Sequence, residues 1–165
     1  MNQFFRLFWH KDLVYNVVMM SKKFIARAEI PKREWLEFEI EVDSRGIIKQ
    51  VKWQVFGCHR LIETAQTASH EFREKKVESL NWSGKAHWDL LLQEIILKFQ
   101  EKFEIPVKDI ELCHCRKIPT AVVDQAIVLG AHTPEKIRAW TTASSGCGTC
   151  RPDVEKMISS RIKVA

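Results

Sequence analysis

The chain lacks most of the signatures that would assign it a chemistry at once. It has no catalytic triad, no glycine-rich phosphate loop and no carboxylate pair at acid–base spacing, so an enzyme is not expected. It has no run of like charge. The formal net charge is +5, but 26 basic and 21 acidic residues are interspersed, which argues against a nucleic-acid tail. Internal repeats and low-complexity segments are absent. Residues 1–20 are rich in Phe, Val and Met, yet Arg6, His10, Lys11 and Asp12 break the apolar run. That run is too short for a membrane span, and no small-residue cleavage site follows it. Cysteine is scarce and its count of five is odd, which excludes a closed disulfide framework. A reducing cytoplasm is the expected compartment for the free thiols.

What remains is enough for a folded protein. Hydrophobic residues make up 45% of 165, sufficient for one domain or two small ones. Residues 1–20 read as an extension. It is either an upstream artefact before a start at Met20-Ser21-Lys22-Lys23 or an amphipathic helix packed on the body.

Residues 35–42 alternate strictly, with Leu36, Phe38, Ile40 and Val42 on one side and Glu37, Glu39 and Glu41 on the other. Period two is a half-buried strand. Asp43-Ser44-Arg45-Gly46 supplies a turn, and residues 47–56 a second strand with Val51, Trp53 and Val55 inward. The pair reads as an antiparallel hairpin. Leu61, Ala65, Ala68 and Phe72 mark a helix over 60–74. Trp88, Leu91, Leu92, Ile95, Phe99 and Phe103 mark a longer one over 86–103, whose stripe is core. Residues 104–110, with Pro106, read as a linker. The six Trp residues are expected mostly in the core, with Trp140 under the cysteine loop.

Four of the five cysteines form one pattern. Cys113-His114-Cys115 is followed, after a gap of 31 residues, by Cys147-Gly148-Thr149-Cys150. Two close pairs of thiolates can enclose a 2Fe-2S cluster or a zinc ion. A C-x-x-C dithiol oxidoreductase would need a βαβ context that residues 110–160 do not show. His114 reads as exposed or bonded to sulfur, not as a ligand. Between the pairs come Arg116-Lys117-Ile118-Pro119-Thr120, a helix ending near Ile127-Val128-Leu129-Gly130-Ala131, then Thr133-Pro134-Glu135 opening a second helix. Thr133 is its N-cap and Pro134 its first residue. Pro152 suits the first position of a last helix.

This stretch resembles the 2Fe-2S domain of bacterioferritin-associated ferredoxin, found also in NifU proteins. The resemblance implies a small all-helical domain over 110–165, with a 2Fe-2S cluster held by Cys113, Cys115, Cys147 and Cys150. The C-x-C pair favours iron–sulfur over zinc, whose common pattern is two C-x-x-C pairs. The basic flanks Arg116, Lys117 and Arg151 would raise the cluster's potential. Gly146 and Gly148 would let N–H groups approach sulfur. These short helices are expected to need the cluster to fold.

Residues 30–103 are similar, more loosely, to the IscU/NifU scaffold family, through Phe38–Asp43, Gly46-Ile47-Ile48, Val55-Phe56-Gly57-Cys58 and Ile62–Ser69. The resemblance implies an α+β fold over 21–105, an antiparallel sheet with helices. It also implies three cluster cysteines, of which only Cys58 is here. Lys32-Arg33-Glu34 stands where the first would be, and His87-Trp88 keeps the histidine but not the third thiol. Cys58 and His87 alone make a poor cluster site, so a docking surface that has lost scaffold chemistry is expected. The expected partners are a protein redox partner or the cluster-assembly machinery, with no nucleic acid and no membrane, and with homodimerisation left open.

Overall fold

The computed structural model describes residues 21–107 and 109–162. The extension over 1–20 lies outside them. The first half is a three-stranded antiparallel sheet, ordered β1 (Lys22–Ile30), β2 (Glu34–Val42), β3 (Ile48–Phe56), with two helices on one face. The expected hairpin is β2–β3, registered as Leu36↔Val55, Phe38↔Trp53 and Ile40↔Val51. Asp43 closes its turn. Asp43 Oδ1 accepts from the N–H of Arg45 at 2.9 Å and of Ile47 at 3.0 Å, and Gly46 takes φ 76°. That positive φ is cheap only for glycine.

The sequence reading missed β1. Its inward residues Ala26, Ala28 and Ile30 are buried, with Phe24 packed beside them. The alternation was present, but small alanines blunted its hydrophobic signal. β1 pairs with β2 from Lys22↔Val42 to Ile30↔Glu34.

Helices α1 (His59–Glu71) and α2 (His87–Phe99) cover the inner face. Leu61, Ala65, Ala68 and Phe72 are buried as expected, and the Phe72 ring lies 5.6 Å from that of Phe38. In α2 the stripe broadens: Leu90, Leu91, Leu92, Ile95, Ile96 and Phe99 are all buried. The helix ends at Phe99, short of the expected Phe103. Glu101 turns into positive φ, and Gln100 holds the Val77–Leu80 turn through the carbonyls of Val77 (3.0 Å) and Leu80 (2.8 Å).

The second half holds a short antiparallel ribbon, β4 (Glu111–Cys113) with β5 (Ile118–Pro119), then α3 (Thr120–Val128), α4 (Pro134–Thr141) and α5 (Arg151–Ile162). The expectation of an all-helical domain is therefore corrected, because the ribbon carries Cys113. A two-residue strand leaves no periodicity to read. Thr133 caps α4 as expected, its hydroxyl accepting from Lys136 N at 3.3 Å. α5 begins at Arg151, so Pro152 is its second residue, where a missing N–H is equally harmless.

Two buried clusters result. The first joins the sheet to α1 and α2 and also takes Val128 of α3. The second joins Leu112, Val123, Ile127, Ile137, Val154 and Met157 to Cys113 and Cys150. Arg161 of α5 ties the halves together. Its guanidinium meets Asp124 of α3 at 2.7 Å and Glu94 of α2 at 3.0 Å, and stacks 4.8 Å from the Phe103 ring. Burial alone would lower its pKa, but the two carboxylates raise it, so it stays charged.

The described tryptophans follow their expected placement only in part. None of Trp35, Trp53, Trp82, Trp88 and Trp140 is fully buried; Trp53, Trp82 and Trp88 edge the first core. Trp140 is 55% exposed rather than under the cysteine loop. The face of α4 turned inward belongs to Ile137 and Thr141.

Candidate metal centre

The four C-terminal cysteines converge. Cys113 closes β4 and Cys115 follows in the turn to β5, their sulfurs 3.8 Å apart. Cys147 and Cys150 lie on the loop between α4 and α5. Side-chain contacts run between Cys113 and Cys150 and between Cys115 and Cys147, crossing from one motif to the other. Each motif contributes one buried and one exposed sulfur. Cys113 and Cys150 are core residues; Cys115 and Cys147 face solvent. All four line one cleft of about 340 Å³ with Val107, Leu112 and Thr149.

The backbone around them is shaped for sulfur. After α4, Thr142 and Ser144 both take left-handed φ, 63° and 59°. For residues with a Cβ this costs roughly 1–2 kcal/mol each. The strained loop brings the Ser144 N–H onto both inner cysteines, Cys113 and Cys150. Arg116 N–H also serves Cys113, and Cys147 N–H serves Cys115. Thr149 donates to Cys147 from both its hydroxyl and its N–H. Gly146 also makes room, since a Cβ there would stand 3.0 Å from Cys115 Sγ.

These contacts couple the thiols in two pairs. Burial pushes Cys113 up, but the donors from Ser144, Cys150, Arg116 and Cys115 bring it below the ordinary value. Burial and the Cys113 contact push Cys150 up. In the outer pair, the Thr149 hydroxyl and N–H, with Cys115, lower Cys147 to about 7. The Cys147 N–H draws Cys115 down, yet its contacts with the Cys147 and Cys113 thiols leave it raised. A soft metal centre would displace the thiol protons.

Four convergent sulfurs, N–H donors aimed at them and a glycine that clears space for one fit a four-thiolate cluster. His114 also lines the cleft but is exposed, with Nδ1 3.4 Å from Glu111. Arg151 engages Glu155 at 3.0 Å and Glu135 at 3.4 Å, and so is a member of a surface network as well as a basic flank.

Cys58 and His87 also meet, far apart in sequence but adjacent in the first half. Cys58 precedes α1 and His87 begins α2, with Sγ 3.5 Å from Nε2. Sequence reasoning missed the third member, Glu34 at the start of β2. Its only signal was its place in the segment where a cluster cysteine was sought.

A search of curated proteins found no match for the chain. The family model of the BFD-like [2Fe-2S] binding domain matches residues 112–160, the stretch that carries all four converging cysteines, and their arrangement fits a 2Fe-2S cluster.

Proposed function

We propose that this is an iron–sulfur protein whose 2Fe-2S cluster is held by Cys113, Cys115, Cys147 and Cys150. We further propose that it serves electron delivery to a protein partner or cluster assembly. The observation that carries the reading is the split of the four sulfurs into a buried and an exposed pair. The buried pair anchors the centre in the second core. The exposed pair leaves one edge open to solvent, where a partner can approach closely. When bound, the cluster supplies a one-electron couple; the residues around it hold, orient and partly shield it. The N–H donors to sulfur favour the more negative, reduced state.

The first half is proposed as a docking surface in a NifU-like arrangement. Support comes from the sheet's outer face. Lys23 and Lys52 hold Glu39 at 2.8 and 3.1 Å, while Phe56, beside Trp35 in the register, is 61% exposed. A cytoplasmic setting, absence of enzymatic activity and absence of nucleic-acid partners belong to the same proposal. Among the described residues no helix is long and apolar enough to cross a membrane.

A second reading rests on the inner pair. With Cys113 and Cys150 part of the core, the centre is a structural or regulatory element of an adaptor. Anaerobic absorption spectroscopy with iron, sulfide and zinc assays on one sample tests both. About two irons and two sulfides per chain, with visible bands that bleach and return through a redox cycle, support the electron carrier. Bands that cannot be cycled without loss of helical signal support the adaptor. A colourless protein with about one zinc at these cysteines overturns the iron–sulfur reading.

A further inference from the structure

We propose that Glu34, Cys58 and His87 form a second, separate metal site that binds one zinc ion with a fourth position open to water. It shares no residue with the cysteine centre and does not rest on the iron–sulfur reading.

Three elements meet here: the start of β2, the loop after β3 and the first residue of α2. Their ligand atoms all lie within 4.8 Å of one another. Cys58 Sγ is 3.5 Å from His87 Nε2, and Glu34 Oε2 is 2.9 Å from the same nitrogen. Tetrahedral zinc with Zn–S of about 2.3 Å and Zn–N or Zn–O of about 2.05 Å would set these separations at about 3.5 and 3.3 Å. The sulfur–nitrogen separation already matches, and the carboxylate–nitrogen one would open by about 0.4 Å to admit the ion.

The convergence on a single nitrogen decides between readings. In a nucleophile–base–acid relay the thiol and the carboxylate address opposite ring nitrogens. Here both address Nε2. One proton on Nε2 cannot serve sulfur and carboxylate equally. Glu34 Oε2 is buried and, among the described residues, meets only that nitrogen. Three lone-pair donors gathered within 4.8 Å of one another are resolved by a cation. A thiolate, a carboxylate and a neutral imidazole balance a divalent charge, so the half-buried site carries no net charge. Sulfur, nitrogen and oxygen together suit borderline-soft zinc. One thiolate is too few for an iron–sulfur cluster.

The surroundings hold the set in place. Glu34 Oε1 accepts the Cys58 N–H at 3.0 Å, which fixes the carboxylate. Gly57 lets it pack, since a Cβ there would stand 3.0 Å from Glu34 Cγ and 2.9 Å from Leu61 Cδ2. The His87 ring is braced edge-on by Trp88, centroids 4.8 Å apart.

The test uses the full chain with its C-terminal cysteines already occupied by iron and sulfide, titrated anaerobically with zinc by calorimetry and with cobalt(II) by absorption. One further zinc per chain is expected, and a tetrahedral cobalt spectrum with the charge-transfer intensity of a single thiolate. Cys58→Ser, His87→Ala and Glu34→Gln should each weaken binding beyond the roughly 10–100-fold that losing a mere supporting partner costs. Glu34→Gln keeps an acceptor for the Cys58 N–H, so its far-ultraviolet circular dichroism should not change. Should the C-terminal cysteines hold zinc instead, the wild type would bind two zincs and Cys58→Ser one. No added stoichiometric zinc, or a zinc count that Cys58→Ser leaves unchanged, overturns the proposal.

Discussion

The two halves of this molecule reach a buried interior by different means. The first encloses Phe38, Phe72, Phe99 and a dense set of Leu and Ile between a sheet and two helices. The second has no aromatic residue among its buried members, and two of those members are Cys113 and Cys150. Burying a large apolar side chain contributes roughly 1.5–3 kcal/mol, so the first half stands on its own packing. The second surrounds its cysteines with short helices and a two-residue strand, and it keeps Thr142 and Ser144 in costly backbone. Such a fold is expected to draw part of its stability from what the cysteines hold, a metal centre standing in for hydrophobic mass in a small unit.

The sharpest break of that contrast is Cys150→Ser. It should abolish the visible bands and unfold much of α3–α5, read by absorption and circular dichroism, with the first half still folded. Cys147→Ser should also lose the cluster, whereas Cys58→Ser should leave the visible spectrum unchanged. Bleaching by Cys58→Ser would place the cluster elsewhere.

Phe38→Ala should cost about 3–5 kcal/mol of denaturant stability in the first half, with little change at the cysteines. Glu94→Gln probes the tie between the halves. It takes from Arg161 the carboxylate that reaches across from α2 but leaves Asp124, so a loss of about 1–3 kcal/mol is expected, seen as the two halves unfolding in separate steps. Thr133→Ala removes only the α4 cap and should cost about 1 kcal/mol, confined to the second half.

The gentlest probe is pH. With the metal removed, the Cys147 thiolate is held down to about pH 7 by Thr149. A lowered thiol pKa means the thiolate persists above about 7 and is lost as pH falls through it. Under conditions where circular dichroism shows α3–α5 still formed without metal, alkylation should therefore label Cys147 first, with its rate inflecting near pH 7. Thr149→Val should move that inflection upward.

Much of the second half was legible because its signals are local. Cys113, Cys115, Cys147 and Cys150, the Thr133 cap and the α4 start need only neighbours in sequence, and each lies where its chemistry requires. In the first half the β2–β3 hairpin was legible from strict alternation. β1 was not, because Ala26 and Ala28 read as weakly apolar until β2 pairs with them. The end of α2 was misplaced because Gln100 is recruited by carbonyls of a turn some twenty residues upstream. Trp140 was misjudged because hydrophobicity does not say which face of α4 meets α3 and α5.

By itself the sequence determined the four thiols, their two close pairs and the alternation that makes a sheet, since these depend on residue chemistry and short-range periodicity. Only the tertiary structure decided which sulfurs are inside and which outside, because burial depends on how β4, α3 and α5 close around the loop. It alone brought Glu34, Cys58 and His87 to a common point. Their spacings of 24 and 29 residues carry no periodic signal, and only the pairing of β2 with β3 beneath α2 sets their distance.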